Sequence, residues 1–167
     1  TYPTVGYNYR MTDIQAAVGR EQLKRLPGII EQRRRVGAQY LKLLSDIEGL
    51  VLPHEPRWAR TNWQSFSVRL PAGCDQRNVM QHMLDDGIGT RRGIMCGHRE
   101  PAYSAMLQRH PLRHSEAAQD SCVLLPLFAQ MTDAEQHQVI DSLRNACRRS
   151  DSSSRGRTAV NTSEASA

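Results

Sequence analysis

Hydrophobic positions recur at helical intervals over the first third of the chain. They are Ile14, Ala17, Val18, Leu26, Ile30, Val36, Tyr40, Leu44 and Ile47. Thr12 and Gln15 have the spacing of a capping box, which predicts where the helix begins. Because proline removes a backbone donor and clashes with the preceding turn, the pattern predicts one long helix kinked near Pro27, or two helices in succession.

A continuous helix from Asp13 to Ile47 would be about 50 Å long. The rest of this chain cannot cover such a length, so we expect the helix to pack against another domain or another subunit. The alternative is a sharp break at Pro27 that folds the two halves back on each other.

The middle of the chain predicts a strand, a helix and a short strand. Residues 63–70 alternate, which places Phe66, Val68 and Leu70 on the buried face of a strand that Pro71 ends. Asp75 predicts the start of a helix, and Gly87 suits the left-handed position just past its end. The inward side chains of this helix are expected to be Val79, Met83 and Leu84, and residues 88–91 are predicted as a short strand.

The last third predicts a long loop, two helices and one strand. Residues 92–114 lack sustained periodicity, which favours a loop with one helical turn around 103–107. Ser115 is predicted to cap a short helix that runs through Cys122, before a strand over 123–127 that ends or bends at Pro126. A second capping box, Thr132 and Glu135, then opens a helix. Its apolar stripe is Ile140, Leu143 and Cys147.

This order of elements predicts an α+β fold, with a long N-terminal helix and a small, mainly antiparallel sheet covered by helices. Residues 1–49 form the loop and long helix, and residues 50–149 form a small α+β domain. Beyond them, residues 150–167 are rich in serine, threonine, alanine and glycine, which predicts a disordered tail.

Composition favours a soluble protein. The hydrophobic fraction is 39% and the charged fraction 23%, both near globular values. The sequence has no apolar run long enough to span a bilayer, and residues 1–5 lack the layout of a signal peptide, so we expect a cytoplasmic protein with no membrane partner. The four cysteines are widely separated and form no CxxC pair, which predicts reduced thiols and no metal site.

A net charge of +5 raises the question of nucleic-acid binding. The basic residues are scattered, however, and several lie near the C-terminus. Residues 33–35 are three successive arginines within the helical pattern, but no aromatic residue interleaves with them to stack bases. We therefore interpret these arginines as a solvated helix face and expect no nucleic-acid partner.

One stretch joins a polar, glycine-bearing loop directly to the first capping box. It is residues 6–17, GYNYRMTDIQAA, in which Asn8 and Arg10 are side-chain donors suited to an anion near a helix start. This stretch closely resembles a segment of the DegT/DnrJ/EryC1/StrS aminotransferases. Further segments resemble the same family in the same order, namely residues 87–92, 98–103, 124–127, 131–132 and 135–136. The resemblance covers residues 6 to about 147 and corresponds only to the later part of a family member.

The resemblance implies the small C-terminal domain of a fold-type-I, pyridoxal-phosphate-dependent enzyme that acts on a nucleotide-linked keto sugar, with an amino acid as donor. In the family, the asparagine matched by Asn8 reaches the cofactor phosphate of the neighbouring subunit, and Arg10 is a second candidate for that pocket. The resemblance therefore implies a homodimer formed through the N-terminal loop and long helix. An ordinary turn residue and an interface ion pair are the alternatives for Asn8 and Arg10.

Three further positions resemble residues that face the sugar nucleotide, whose diphosphate would favour a cation: Thr90, Arg91 and His98. The sequence departs from the commoner family pattern at residues 93–97, GIMCG, where members often have an aromatic residue, proline and leucine before the histidine. A loop-packing role is the alternative for His98.

The only lysines are Lys24 and Lys42, both within the long helical pattern, and neither has a loop context like that of the family's Schiff-base lysine. We therefore predict no catalytic residue in this chain and no covalent cofactor attachment, and we expect the chain to be inactive alone. A sugar dehydratase of the same family, with histidine in place of the upstream lysine, is a close alternative. From another class, the alternative is a non-catalytic, dimerising interaction module with a basic surface.

Overall fold

The computed structural model describes residues 9–103 and 110–160, and residues 150–160 by their backbone alone. The described chain contains four α-helices, three short strands and two turns of 3-10 helix. In order they are α1 (Asp13–Leu43), β1 (Phe66–Arg69), α2 (Gln76–Asp85), β2 (Arg91–Arg92), the 3-10 turns Gly97–Arg99 and Pro101–Tyr103, α3 (Arg113–Ser121), β3 (Cys122–Leu125) and α4 (Asp133–Val160). The sheet is antiparallel with strand order β1-β3-β2, so the predicted α+β fold is confirmed.

The register of the sheet separates a core face from an outer face. Phe66 is opposite Leu125, and Val68 is opposite Val123; these four side chains are buried. Leu124 pairs with Ser67 on one side and with Arg91 on the other. Because residues directly opposite each other share a face, the outer face carries a serine, a leucine and an arginine. The predicted burial of residues 66, 68 and 70 is confirmed.

The predicted strand at residues 88–91 is displaced, since β2 is only Arg91–Arg92. Gly87 has a φ of 79°, its amide donates to Leu84, and the amide of Ile88 donates to Met83. This is a Schellman motif, which keeps Ile88 in the cap of α2 and buries it against the core. The strand can therefore begin only after the cap has closed.

Helix α1 is continuous through Pro27, so the predictions of two helices and of a sharp break are wrong. Its capping box is confirmed, with Thr12 N 3.0 Å from Gln15 Oε1 and Gln15 N 3.3 Å from Thr12 Oγ1. The helix ends at Leu43 rather than continuing to Ile47, because the chain then turns so that Val51 can pair with Arg69.

The two halves of α1 lie in different surroundings. In its C-terminal half, Val36 and Tyr40 belong to the same core as the sheet and α4. In its N-terminal half, large apolar side chains are exposed in the described structure. They are Ile14, Val18, Leu23 and Leu26. The first half of α1 therefore offers an apolar face that the described residues leave uncovered.

Helix α4 begins with the second predicted capping box, which is confirmed: Thr132 N donates to Glu135 Oε2 at 2.8 Å, and Glu135 N lies 3.3 Å from Thr132 Oγ1. The hydrogen bond from the Thr132 amide holds the pKa of the Glu135 carboxyl below its usual value. The stripe of Ile140, Leu143 and Cys147 is buried, as predicted. The helix continues to Val160, past the predicted start of the tail at residue 150, because an established helix extends at little cost per residue. Residues 161–167 lie outside the described structure.

Three local predictions are corrected. Leu84 is exposed, because α2 buries the face that carries Val79 and Met83. Helix α3 begins at Arg113 with Leu112 at its N-cap and no side-chain cap, so Ser115 lies inside the first turn. Strand β3 begins at Cys122 and ends before Pro126.

The prediction of a solvated face is wrong for two of the three arginines at 33–35. The Arg33 guanidinium donates to the carbonyls of Trp63 and Gln64, both at 2.8 Å. Arg34 forms a salt bridge of 3.0 Å with Glu55 and donates to the Thr61 carbonyl. These contacts supply hydrogen-bond donors to backbone carbonyls of a loop that belongs to no helix or strand. The hydrogen bond from Arg34 also holds the pKa of the Glu55 carboxyl below its usual value.

Replacing Arg33 with alanine is expected to lower the free energy of unfolding by about 2 kcal/mol, because charge-assisted hydrogen bonds to two carbonyls are lost together. Those carbonyls belong to a strained turn, in which Trp63 has a φ of 50°. Chemical denaturation measures the change. The matched control is Arg35→Ala. Arg35 is exposed, and its ion pair with Asp133 is long at 3.6 Å and open to solvent. The effect of this variant on stability should therefore stay within about 0.5 kcal/mol. Equal effects of the two variants would contradict the anchoring role of Arg33.

Candidate substrate cleft

A cleft lies on the outer face of the sheet, between the loop that follows β2 and helix α3. Its volume is about 460 Å³. The sheet contributes Ser67 and Leu124, the loop contributes Gly93 to His98, and α3 contributes Ser115 and Ala118. Serine hydroxyls, backbone groups and apolar side chains therefore line one concave surface, which is the usual composition of a small-molecule site.

A second depression of about 390 Å³ lies beside the cleft and is lined by Arg91 and Arg92. The two share four lining residues, Gly93, Ile94, Met95 and Leu124. Arg91 is exposed on the edge strand of the sheet, where its guanidinium can meet an anion. The segment 93–95 therefore separates a basic depression from a more apolar cleft.

His98 lies at the wall of the cleft, where α3 holds it. Its Nε2 is 3.0 Å from Glu116 Oε1, and its side chain is only 14% exposed. Arg99, the next residue, lies 3.7 Å from the other oxygen of Glu116 and 2.7 Å from Asp120. The hydrogen bond between Arg99 and Asp120 raises the pKa of the guanidinium and lowers the pKa of the carboxyl, so this pair is charged at neutral pH. His98 thus packs against α3 and lines the cleft at the same time.

Gln119 holds the loop that follows β2, and sequence reasoning did not identify it. Its side chain is buried, and its Oε1 accepts a hydrogen bond of 2.7 Å from the Cys96 amide. Gly93 N donates to the Cys122 carbonyl at 2.7 Å. Such contacts leave no periodic signal, and the only hint is a glutamine on the inward side of a short helix. Together they hold the loop against the end of α3.

The predicted site residues fall into two groups. Arg91 and His98 line neighbouring depressions, whereas Thr90, immediately before β2, lines neither. Arg10 is exposed just before α1 and lies outside both depressions. Asn8 lies outside the described residues. The structure therefore brings together two of the predicted residues and places Arg10 elsewhere.

Arg10 precedes an apolar groove on the first half of α1. The groove measures about 570 Å³ and is lined by Met11, Ala16, Gly19, Arg20, Gln22, Leu23, Leu26 and Ile29. Arg10 and an apolar surface therefore adjoin at the start of one helix.

Neither lysine lies in the cleft. Lys24 is exposed and 2.6 Å from Glu21, and Lys42 is exposed near the end of α1.

Within residues 9–103 and 110–160, no cluster of three or more histidine, cysteine or acidic side chains has the geometry to hold a metal ion. The described helices include none with the length and apolar character needed to cross a membrane.

Comparison with known proteins gives a family match and a set of similar folds. The sequence model of the DegT/DnrJ/EryC1/StrS aminotransferase family matches residues 1–144. The aminotransferase TlmJ from Streptoalloteichus hindustanus is 25% identical with a TM-score of 0.79, over 89% of this chain and 40% of its own. DesV from S. venezuelae, solved in complex with a ketimine intermediate, is 26% identical with a TM-score of 0.79, over 88% and 39%.

DesI, solved in the presence of its TDP-sugar product, is 27% identical with a TM-score of 0.75, over 88% of this chain and 38% of its own. This chain thus spans about 40% of the length of TlmJ and slightly less of the other two.

Proposed function

The chain belongs to the DegT/DnrJ/EryC1/StrS aminotransferase family, and from this premise we propose that it forms the C-terminal part of a sugar aminotransferase. The observation that carries the proposal is the family match, which spans both the start of α1 and the cleft. The substrate we propose is a nucleotide-linked keto sugar, with an amino acid as the amino donor. The TDP-sugar product of DesI supports this substrate class.

Residues 50–149 would form the small domain, and residues 1–49 would link it to a larger domain outside this chain. The C-terminal half of α1 already shares its core with the sheet. Four free cysteines fit the reducing cytoplasm in which we propose the enzyme works. In this arrangement the chain would be inactive alone.

Pyridoxal phosphate is the cofactor we propose, and this chain fits one part of its requirements. A phosphate needs donors, and the guanidinium of Arg10 would be one of them. A Schiff base needs a lysine, but Lys24 and Lys42 are exposed on α1 and neither lines the cleft. When bound, the cofactor supplies the electron sink for moving the amino group. The lysine that holds it would therefore belong to residues outside this chain.

We propose that Asn8 and Arg10 hold the phosphate of the partner subunit's cofactor in a homodimer. The apolar groove beside Arg10 supports this arrangement, because exposed Met11 and Leu23 suit a protein contact more than bulk water. Arg10, next to an apolar face that the described residues leave uncovered, is well placed to complete a site on another polypeptide.

At the cleft, we propose that Arg91 and His98 face the sugar nucleotide. Arg91 supplies a guanidinium that can pair with diphosphate oxygens through two parallel hydrogen bonds. The serines of the cleft can bind sugar hydroxyls. Thr90, which precedes Arg91, stays a predicted substrate contact.

Subunit complementation tests the shared site in the enzyme that contains this chain. One subunit carries Asn8→Ala with Arg10→Ala, and the other lacks the Schiff-base lysine. Random mixing puts half of the dimers in the mixed form, with one native site of two, so about a quarter of native aminotransferase activity should return. The control is the same mixture without subunit exchange.

No recovery above the sum of the separate variants would place Asn8 and Arg10 in the site of their own subunit. A product without a new amino group would indicate the dehydratase instead. If the enzyme keeps both its activity and its cofactor when Asn8 and Arg10 are replaced together, these residues do not belong to the site.

A further inference from the structure

The contact between His98 and Glu116 determines which ring nitrogen carries the proton. Nε2 lies 3.0 Å from Glu116 Oε1. A carboxylate can only accept hydrogen bonds, so the nitrogen that faces it must be the one with the hydrogen. In the neutral imidazole, Nδ1 is then without a hydrogen and can only accept.

Nδ1 is the polar atom of this ring that is left for a ligand. The described residues give it no hydrogen-bond partner, and among them His82 Nε2 is the one side-chain nitrogen or oxygen that is both buried and unpaired. Nδ1 of His98 is therefore reachable from solvent. Because His98 lines the cleft, a molecule bound there can meet this atom.

We propose that Glu116 is a positioning residue that holds His98 in the Nε2-protonated tautomer, so that neutral His98 offers the cleft a hydrogen-bond acceptor. The choice of ligand class rests on the proposed function. An acceptor matches a sugar hydroxyl or amino group, which can donate. A phosphate oxygen only accepts, so neutral His98 does not suit the diphosphate. Arg91, in the neighbouring depression, takes that role.

The surroundings of Glu116 support a fixed orientation of its carboxylate. Arg99 lies 3.7 Å from Oε2, which leaves Oε1 for the imidazole. Arg99 is itself held by Asp120 at 2.7 Å, one helical turn after Glu116 on α3. The carboxylate is therefore placed between two side chains from the loop rather than rotating in solvent.

Nuclear magnetic resonance of this chain with isotope-labelled histidine tests the proposal directly. Proton–nitrogen correlation spectra at about two pH units above the ordinary histidine pKa report the neutral tautomer. We expect the His98 Nδ1 signal at the unprotonated position, and His98→Gln identifies that signal by removing it. His137 is the internal control. Its Nδ1 lies 2.7 Å from the Asp133 carbonyl, so it should show the opposite tautomer.

Two variants separate positioning from packing. Glu116→Ala should bring the two His98 nitrogen signals together, because the ring then exchanges between tautomers. Arg113→Ala, a control at an exposed position on the same helix, should leave them apart. A wild-type His98 protonated at Nδ1, or unchanged nitrogen signals in Glu116→Ala, would overturn the proposal. The wild-type spectrum alone decides the tautomer, so the test survives if Glu116→Ala does not fold.

Kinetics of the enzyme that contains this chain separate this inference from the proposed function. Glu116→Ala should raise KM for the nucleotide sugar about tenfold, the value of one hydrogen bond, with KM for the amino donor unchanged. If the tautomer is as proposed but KM for the sugar is unaffected by both Glu116→Ala and His98→Gln, the substrate does not bind at His98. If the tautomer is the opposite one, the role of Glu116 is wrong and the aminotransferase assignment stands.

Discussion

Replacing Tyr40 with alanine is expected to lower the free energy of unfolding by about 3–5 kcal/mol, the range for deleting a fully buried aromatic ring. Tyr40 is 0% exposed and its ring centroid is 5.0 Å from that of Phe66. Its hydroxyl donates to the Pro126 carbonyl at 2.9 Å. One side chain thus joins α1, β1 and the connection that follows β3, so its loss opens a cavity at the junction.

Tyr40→Phe is the control, since it keeps the ring and removes only the hydroxyl. It leaves the Pro126 carbonyl unpaired, which should cost about 1–2 kcal/mol. Denaturant unfolding can be followed by tryptophan fluorescence, because Trp63 is 5.2 Å from Phe66 in the same cluster. An alanine variant no less stable than the phenylalanine variant would show that the ring does not join these elements.

The same burial predicts a dependence on alkaline pH. Burial raises the pKa of the Tyr40 phenol well above the ordinary value of 10.0. Between the two values the folded state binds more protons than the unfolded state, so stability is full below pH 10.0 and falls as the pH rises above it. Tyr40→Phe should remove this part of the alkaline loss, which unfolding curves at several pH values can measure.

The parts of the fold that the sequence predicted are those whose signals are local. Both capping boxes depend on residues three apart, such as Thr12 and Gln15, and both form. The strand face at Phe66 and Val68 follows from alternation, which a half-buried sheet imposes on its own residues. A pattern within a few residues is enough to find such features, because the physical cause is equally short.

The features that sequence reasoning missed depend on distant partners. Arg33 binds carbonyls of residues 63 and 64, and its helical surroundings gave no sign of them. The late start of strand β2 is an exception with a local cause, because the Ile88 amide donates to the Met83 carbonyl in the cap of α2. The helix pattern at Arg33 was genuine, but contacts distant in sequence decided what its side chain binds.

The candidate site likewise has residues that were predicted and residues that sequence reasoning missed. The resemblance predicted Arg91 and His98 as substrate contacts, and both line depressions on the outer face of the sheet. It gave no role to Glu116 or Gln119, which orient His98 and anchor the loop. Both lie on α3, where the sequence predicted only a short helix. Their function arises from packing α3 against a loop that has no periodicity of its own.

Gly93→Ala is expected to lower the free energy of unfolding by about 3 kcal/mol and to displace the loop that lines the cleft. A methyl group there would overlap the Ala118 carbonyl oxygen and lie 3.2 Å from the Cα of Gln119. These are backbone atoms of α3, which cannot rotate away as a side chain could. The Gly93 amide is also held by the Cys122 carbonyl at 2.7 Å, so the glycine cannot retreat without breaking that bond.

Gly97→Ala is the matched control in the same loop, because a methyl group at residue 97 meets nothing within 4 Å. Its effect on stability should stay within about 0.5 kcal/mol. Chemical denaturation measures both variants, and in the enzyme that contains this chain the sugar-nucleotide affinity should fall with Gly93→Ala and not with Gly97→Ala. If Gly93→Ala lowers the stability but leaves the sugar affinity unchanged, the loop contributes to the fold and not to substrate binding. Loss of both, with cofactor binding retained, would tie the packing of α3 to the substrate cleft.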